Sequence, residues 1–180
     1  MTPSFVRFSL GACLLYTVLS PPTGHAQQGE QQQAGPCSAP EYRQFDFWLG
    51  TWNVETKDGK TAGTNHITQI LNGCALREEW TGAGPSRGTS YNMFDSRTGR
   101  WHQTWVDNGG LLLVLDGAFE DGKMVLRGEK RLSDTLTVMH EISWESIEDD
   151  RVVQRWTMSR DQGATWQTVF EGIYIPRDDH

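Results

Sequence analysis

From Thr51 onward the chain is interrupted at short intervals by Asp58-Gly59, Asn72-Gly73, Thr98-Gly99, Asn108-Gly109-Gly110, Asp121-Gly122, Asp149-Asp150 and Gln162-Gly163. These residue types accept the left-handed backbone that tight hairpin turns require. The segments between them number about nine or ten and have strand length, and none combines the length and the 3.6-residue periodicity of a helix. An antiparallel meander follows. Laid flat, so many strands leave two exposed edges, whereas an up-and-down barrel pairs every strand and encloses an interior. The expected fold is all-β: a closed barrel of about ten strands, preferred to a two-sheet sandwich.

One helical element precedes the strands. Ser38-Ala39-Pro40-Glu41 has the pattern of a capping box with Pro in the first turn. Tyr42, Phe45 and Leu49 then fall on one helical face, and Gly50 supplies a stop. This short N-terminal helix is expected to plug one end of the barrel.

Residues 1–26 read as a secretory signal, with Arg7 as the positive start, Phe8 to Leu19 as the apolar run and Gly24-His25-Ala26 as the cleavage pattern. Leu10-Gly11-Ala12-Cys13 resembles a lipobox, but the apolar run continues past Cys13, and ordinary cleavage with a mature start near Gln27 is preferred. Residues 27–36 form a polar, low-complexity tether with little to bury, expected to be disordered. Residues 37–180 are then one β-barrel domain, periplasmic or secreted, and no later run reaches the ~18 apolar residues needed to span a bilayer.

The net charge is −7, and cleavage removes Arg7 but no acid, leaving −8. Such a surface repels phosphate backbones and anionic lipid, so nucleic acid and membrane insertion are not expected of the mature chain. Cys37 and Cys74 remain as an even pair in an oxidising compartment and are read as one disulfide, with two free thiols as the alternative. The closed loop would contribute roughly 4 kcal/mol in the chain-entropy treatment.

Residues two apart in a strand share a face. On that basis Leu136, Val138, His140, Ile142 and Trp144 point inward together, as do Leu76, Glu78 and Trp80. Trp101, Gln103 and Trp105 form a third inward set, and Val152, Gln154, Trp156 and Met158 a fourth. An interior this aromatic, with sparse polar groups, has the make-up of a small-molecule pocket. The other reading is a packed core that uses its tryptophans to fill space, with Gln103 and Gln154 bonded to each other or to water. As a pocket, Trp80, Trp105 and Trp156 are the candidate walls, and Gln103, Gln154 and His140 the polar groups that orient a ligand. Glu78, an inward carboxylate, needs Arg, His or a ligand cation beside it. If Glu78 met His140 across the barrel, the pair could carry proton transfer.

Gly50-Thr51-Trp52 after a short helix, with Arg177 just past the last strand, resembles the calycin barrels, which include lipocalins, fatty-acid-binding proteins and nitrobindin-like haem proteins. That resemblance implies a tryptophan closing the barrel floor beneath a terminal arginine. Phe45 to Trp52, with Trp101 to Asp107, is similar to an uncharacterised family of exported bacterial proteins, which implies a fold and no function. Ser159 to Trp166 resembles the Asp-box of sialidase-type propellers, and Phe94 to Trp101 a kelch-like turn. A propeller needs at least four blades of ~40 residues, more than this chain offers, so Asp161 is read as structural.

Other motifs are set aside. Gly84-Pro85-Ser86-Arg87-Gly88 has the form of a nucleophile elbow, but a strand rather than a helix is expected after it. His66, His102, His140 and His180 are scattered, with no C-x-x-C or H-E-x-x-H, so no metal site is expected. Leu111 to Leu115 is continuously apolar, so Leu112 and Val114 face outward, either covered locally by the N-terminal segment or in a homodimer contact.

The functional expectation is an exported, non-enzymatic protein that binds a small lipophilic or aromatic molecule, with no cofactor. Alternatives are a lipocalin-like isomerase or hydratase working through Glu78 and His140, and haem binding with His140 as axial ligand. In nitrobindin-like barrels that histidine lies near the last strand, where this chain has Thr168, Phe170, Gly172 and Tyr174. A purely structural barrel is the fourth possibility.

Overall fold

A computed structural model describes Met1 and residues 35–177. Apart from Met1 and the last residues before Cys37, the segments read as signal and tether lie outside the described residues, as does His180. Ten strands run in chain order: β1 (Gly50–Thr56), β2 (Thr61–Ile70), β3 (Ala75–Gly82), β4 (Arg87–Asp95), β5 (Arg100–Asp107), β6 (Leu112–Glu120), β7 (Lys123–Arg131), β8 (Thr137–Ser146), β9 (Val152–Ser159) and β10 (Gln167–Pro176). Each pairs antiparallel with its sequence neighbours, and β1 closes on β10, so the sheet is a closed barrel.

The turn residues act as their chemistry dictates. Asp121, Gly122, Asp149 and Asp150 have φ of 50°, 81°, 59° and 54°, the left-handed conformation that lets a short hairpin follow the strand twist. Two connections, 83–86 and 132–136, carry none of the turn pairs read from the sequence. In the β9–β10 hairpin, Asp161 Oδ1 accepts from the Thr165 amide (2.8 Å) and from Ser159 Oγ (2.7 Å), while its Oδ2 accepts from Thr165 Oγ1 (2.6 Å). These bonds hold the Asp161 carboxyl down at about 2. The Asp-box-like segment is therefore a locally bonded hairpin within a single barrel.

The N-terminal helix is present as two short 3-10 turns, Pro40–Arg43 and Asp46–Trp48. Ser38 makes no cap: the residue before the first turn is Ala39, with no side-chain capping bond. What the segment supplies is aromatic bulk. Phe45 and Trp48, both fully buried, stack at 4.8 Å, and Phe45 meets Trp101 and Trp144 edge-on at 5.6 and 5.1 Å. Trp52 donates its indole N–H to the Trp48 carbonyl (3.0 Å), and the Arg177 amide donates to Thr51 O (2.9 Å). Together these rings close one end of the barrel.

Cys37 and Cys74 form a disulfide that ties the N-terminal segment to the residue just ahead of β3. Arg43 reinforces the join by donating to the Gly73 carbonyl. On the outer wall Leu112 and Val114 are 49% and 48% exposed. Among the described residues, no helix is long and apolar enough to cross a membrane.

Candidate functional site

Between the aromatic plug and the opposite end lies a cavity of about 340 Å³. Trp80, Trp105, Trp156 and Phe170 form its aromatic walls, with Ala62, Leu113 and Ile142 between them. Residues of the 83–86 connection and Asp107 border its mouth. Glycine shapes one wall directly. A Cβ at Gly88 would lie 2.2 Å from the Trp105 ring, so the bare backbone of β4 is what allows that indole to lie against it. On β10 an irregularity between Thr168 and Phe170 shifts the register against β9, and both Val169 and Phe170 line the cavity. A bulge re-aims side chains in this way wherever it occurs.

Below the tryptophans runs a belt of buried hydrogen bonds across successive strands. Gln103 on β5 donates through Nε2 to Asn92 Oδ1 (2.8 Å), Asn92 donates to Ser90 Oγ (2.9 Å), and Ser90 donates to Glu78 Oε2 (2.6 Å). From the other side Asn65 on β2 donates to Glu78 Oε1 (2.7 Å) and to the Tyr174 hydroxyl (3.2 Å), which in turn donates to Gln154 Oε1. Both arms of donors that meet Glu78 end on it. It is 3% exposed, and burial pushes its carboxyl up to about 7 against the pull of the Ser90 and Asn65 hydrogen bonds. Burial and the adjacent Glu78 raise the Tyr174 phenol well above its usual value.

The cavity lining therefore includes Trp80, Gln103, Trp105, Gln154 and Trp156, together with Glu78. Gln103 and Gln154 do not bond each other: one is held by Asn92 and Ser90, the other by Tyr174. Of the partners expected for Glu78, an Arg, a His or a ligand cation, neither Arg nor His bonds it among the described residues, and its protein donors are the neutral Asn65 and Ser90.

His140 faces inward but lies outside this lining. It borders a separate groove with Leu113, Gly128 and Lys130. Its Nδ1 accepts the Trp156 indole N–H (3.1 Å), which places its proton on Nε2 when the ring is neutral. Burial, and then the Lys130 charge, lower its pKa and favour that neutral form. Among the described residues no hydrogen bond or ion pair joins His140 to Glu78, so the proton-transfer pair is not assembled. The same placement does not fit haem: among the described residues no histidine lines the cavity, and His140 Nδ1 is occupied by the Trp156 indole N–H.

Ser86 sits at the cavity mouth and is followed by β4, a strand, so the elbow geometry is absent. Among the described residues there is no group of three or more His, Cys, Asp or Glu able to hold a metal. Asn65, Ser90, Asn92 and Tyr174 were not singled out from the sequence. Nothing in the sequence distinguishes a buried Asn or Ser from a solvated one. Comparison with models of known protein families and with curated proteins finds no match.

Proposed function

We propose that this barrel is an exported binding protein that holds a small aromatic or lipophilic molecule between Trp80, Trp105 and Trp156, with Gln103 and Gln154 meeting its polar end. The observation that carries this reading is the cavity itself. Its volume of about 340 Å³ falls in the range of small-molecule sites. It is roughly twice the ~150 Å³ of an engineered cavity that takes up benzene, so a two-ring molecule fits. His140 contributes by orienting Trp156 rather than by touching the ligand.

The disulfide supports export through an oxidising compartment, and N-terminal sequencing of the mature protein is expected to begin near Gln27. The outer wall carries Arg127 with Glu141 (2.7 Å) and Arg155 with Glu171 (2.9 Å), charges that suit a wall in water rather than in lipid. The calycin resemblance is supported by closure of the barrel around Trp52 and by the Arg177 amide bonded to Thr51.

Native mass spectrometry of the protein purified gently from its host compartment tests the binding reading. A stoichiometric adduct that is lost on denaturation is expected. Trp105→Ala and Trp156→Ala should then weaken affinity for the identified adduct; unchanged affinity in both would remove these residues from the site. A second reading, acid/base catalysis, is favoured by one observation, a cavity carboxyl titrating near neutrality at about 7. It would rest on Glu78 alone, and it requires a Glu78→Gln variant that binds normally but has lost turnover.

A further inference from the structure

We infer that the molecule held in this cavity is an aromatic or lipophilic amine, bound as its ammonium ion with the charge on the Glu78 carboxylate and the Gln103 carbonyl, and the apolar body against Trp80, Trp105 and Trp156. This rests on the ligand-binding reading above and names its chemical class.

The charges of the lining point one way. Among the described residues it contains two carboxylates, Glu78 and Asp107, and no Lys, Arg or His. Asp107 is engaged through Oδ1 by the Gly109 and Leu111 amides of its own turn (2.8 and 2.9 Å), so Glu78 is the deep acid. A carboxylate offers about four acceptor positions. Asn65 and Ser90 each fill one of them, and both donors are neutral, so the charge itself is uncompensated. A buried carboxyl with no charged partner either keeps its proton or ionises beside a cation, and an ammonium guest supplies that cation.

The direction of the hydrogen bonds adds a second argument. Gln103 commits its Nε2 to Asn92 and Ser90, which leaves its carbonyl oxygen to face the cavity it lines. Glu78 and Gln103 thus present acceptors, and an ammonium group brings donors and no acceptor. The walls agree with the floor. Indole faces attract cations, most strongly where water is excluded, and three of them surround this site. The overall charge of −7 also favours a cationic guest over an anionic one.

The test compares probes that share a ring and differ in charge. Tryptamine and its neutral hydroxyl counterpart tryptophol are titrated calorimetrically into the wild-type protein and into Glu78→Gln. Tryptamine is expected to bind wild type at least tenfold more tightly than tryptophol, and Glu78→Gln is expected to abolish the preference while tryptophol still binds. Equal or tighter binding of tryptophol to wild type, or a preference that survives in Glu78→Gln, overturns the amine assignment and leaves the binding reading intact. Binding of neither probe counts against both. Should Glu78→Gln fail to fold, the wild-type comparison is repeated with naphthylmethylamine and naphthylmethanol. Loss of the amine preference on that second ring system would likewise overturn the inference.

Discussion

Glu78 holds its carboxyl at about 7, against an ordinary value of 4.5, because burial opposes its ionisation more than Asn65 and Ser90 favour it. Between those values the folded protein keeps a proton that the unfolded chain releases. Stability from this group is therefore fullest below pH 4.5, falls as the pH rises toward 7, and is level above that. At about 1.4 kcal/mol per unit the total loss is on the order of 3 kcal/mol. Urea unfolding of wild type and Glu78→Gln at pH 5 and pH 8 isolates it: wild type should lose stability relative to the variant at the higher pH, and a constant difference would show that the carboxyl is not buried. Strand parity in the sequence placed Glu78 inside and flagged it as needing a partner. It could not supply that partner, because a donor such as Asn65, thirteen residues away on β2, becomes adjacent only once register is fixed. For the same reason, Glu78 and His140 share an interior without meeting.

At the level of elements, hairpin chemistry was the most legible feature. Asp-Gly and Asp-Asp pairs dictate backbone locally, and residues 121–122 and 149–150 turn where they were read. The 83–86 and 132–136 connections were not read because their chemistry is less specific: both are bridged across by backbone bonds, Gly82 N to Ser86 O (2.9 Å) and Leu132 N to Leu136 O (2.9 Å). The short N-terminal helix was legible as well, and the structure refines its form. Its apolar spacing suggested one helix, but packing Phe45 and Trp48 together against Trp101 and Trp144 is achieved by two 3-10 turns.

Two predictions belong at this scale. Replacing Cys37 and Cys74 together by Ser should cost roughly 2–5 kcal/mol in chemical denaturation, since the cross-link restrains the unfolded chain. A loss within error would mean that Arg43 and the aromatic plug anchor the segment unaided. Asp161→Ala should remove hydrogen-exchange protection from the Thr165 amide, while amides in the centres of β2 and β3 keep theirs. Retained protection at Thr165 would show that the hairpin does not depend on the carboxylate.

Across the whole molecule the interior is layered along the barrel. Fully buried Phe45, Trp48 and Trp144 close one end, the polar belt from Gln103 through Glu78 to Gln154 crosses the middle, and Trp80, Trp105 and Trp156 surround the open space beyond. The sequence shows eight tryptophans but not this division, because parity distinguishes inside from outside and says nothing of depth along the axis. The layering makes the account testable ring by ring, since each indole N–H gives its own NMR resonance. The decisive measurement is a titration of the nitrogen-15-labelled protein with tryptamine, followed at those resonances. The Trp80, Trp105 and Trp156 signals should shift together and saturably while those of Trp48, Trp52 and Trp144 stay in place. If all remain still at millimolar probe, or if the plug tryptophans move instead, the cavity is not the binding site.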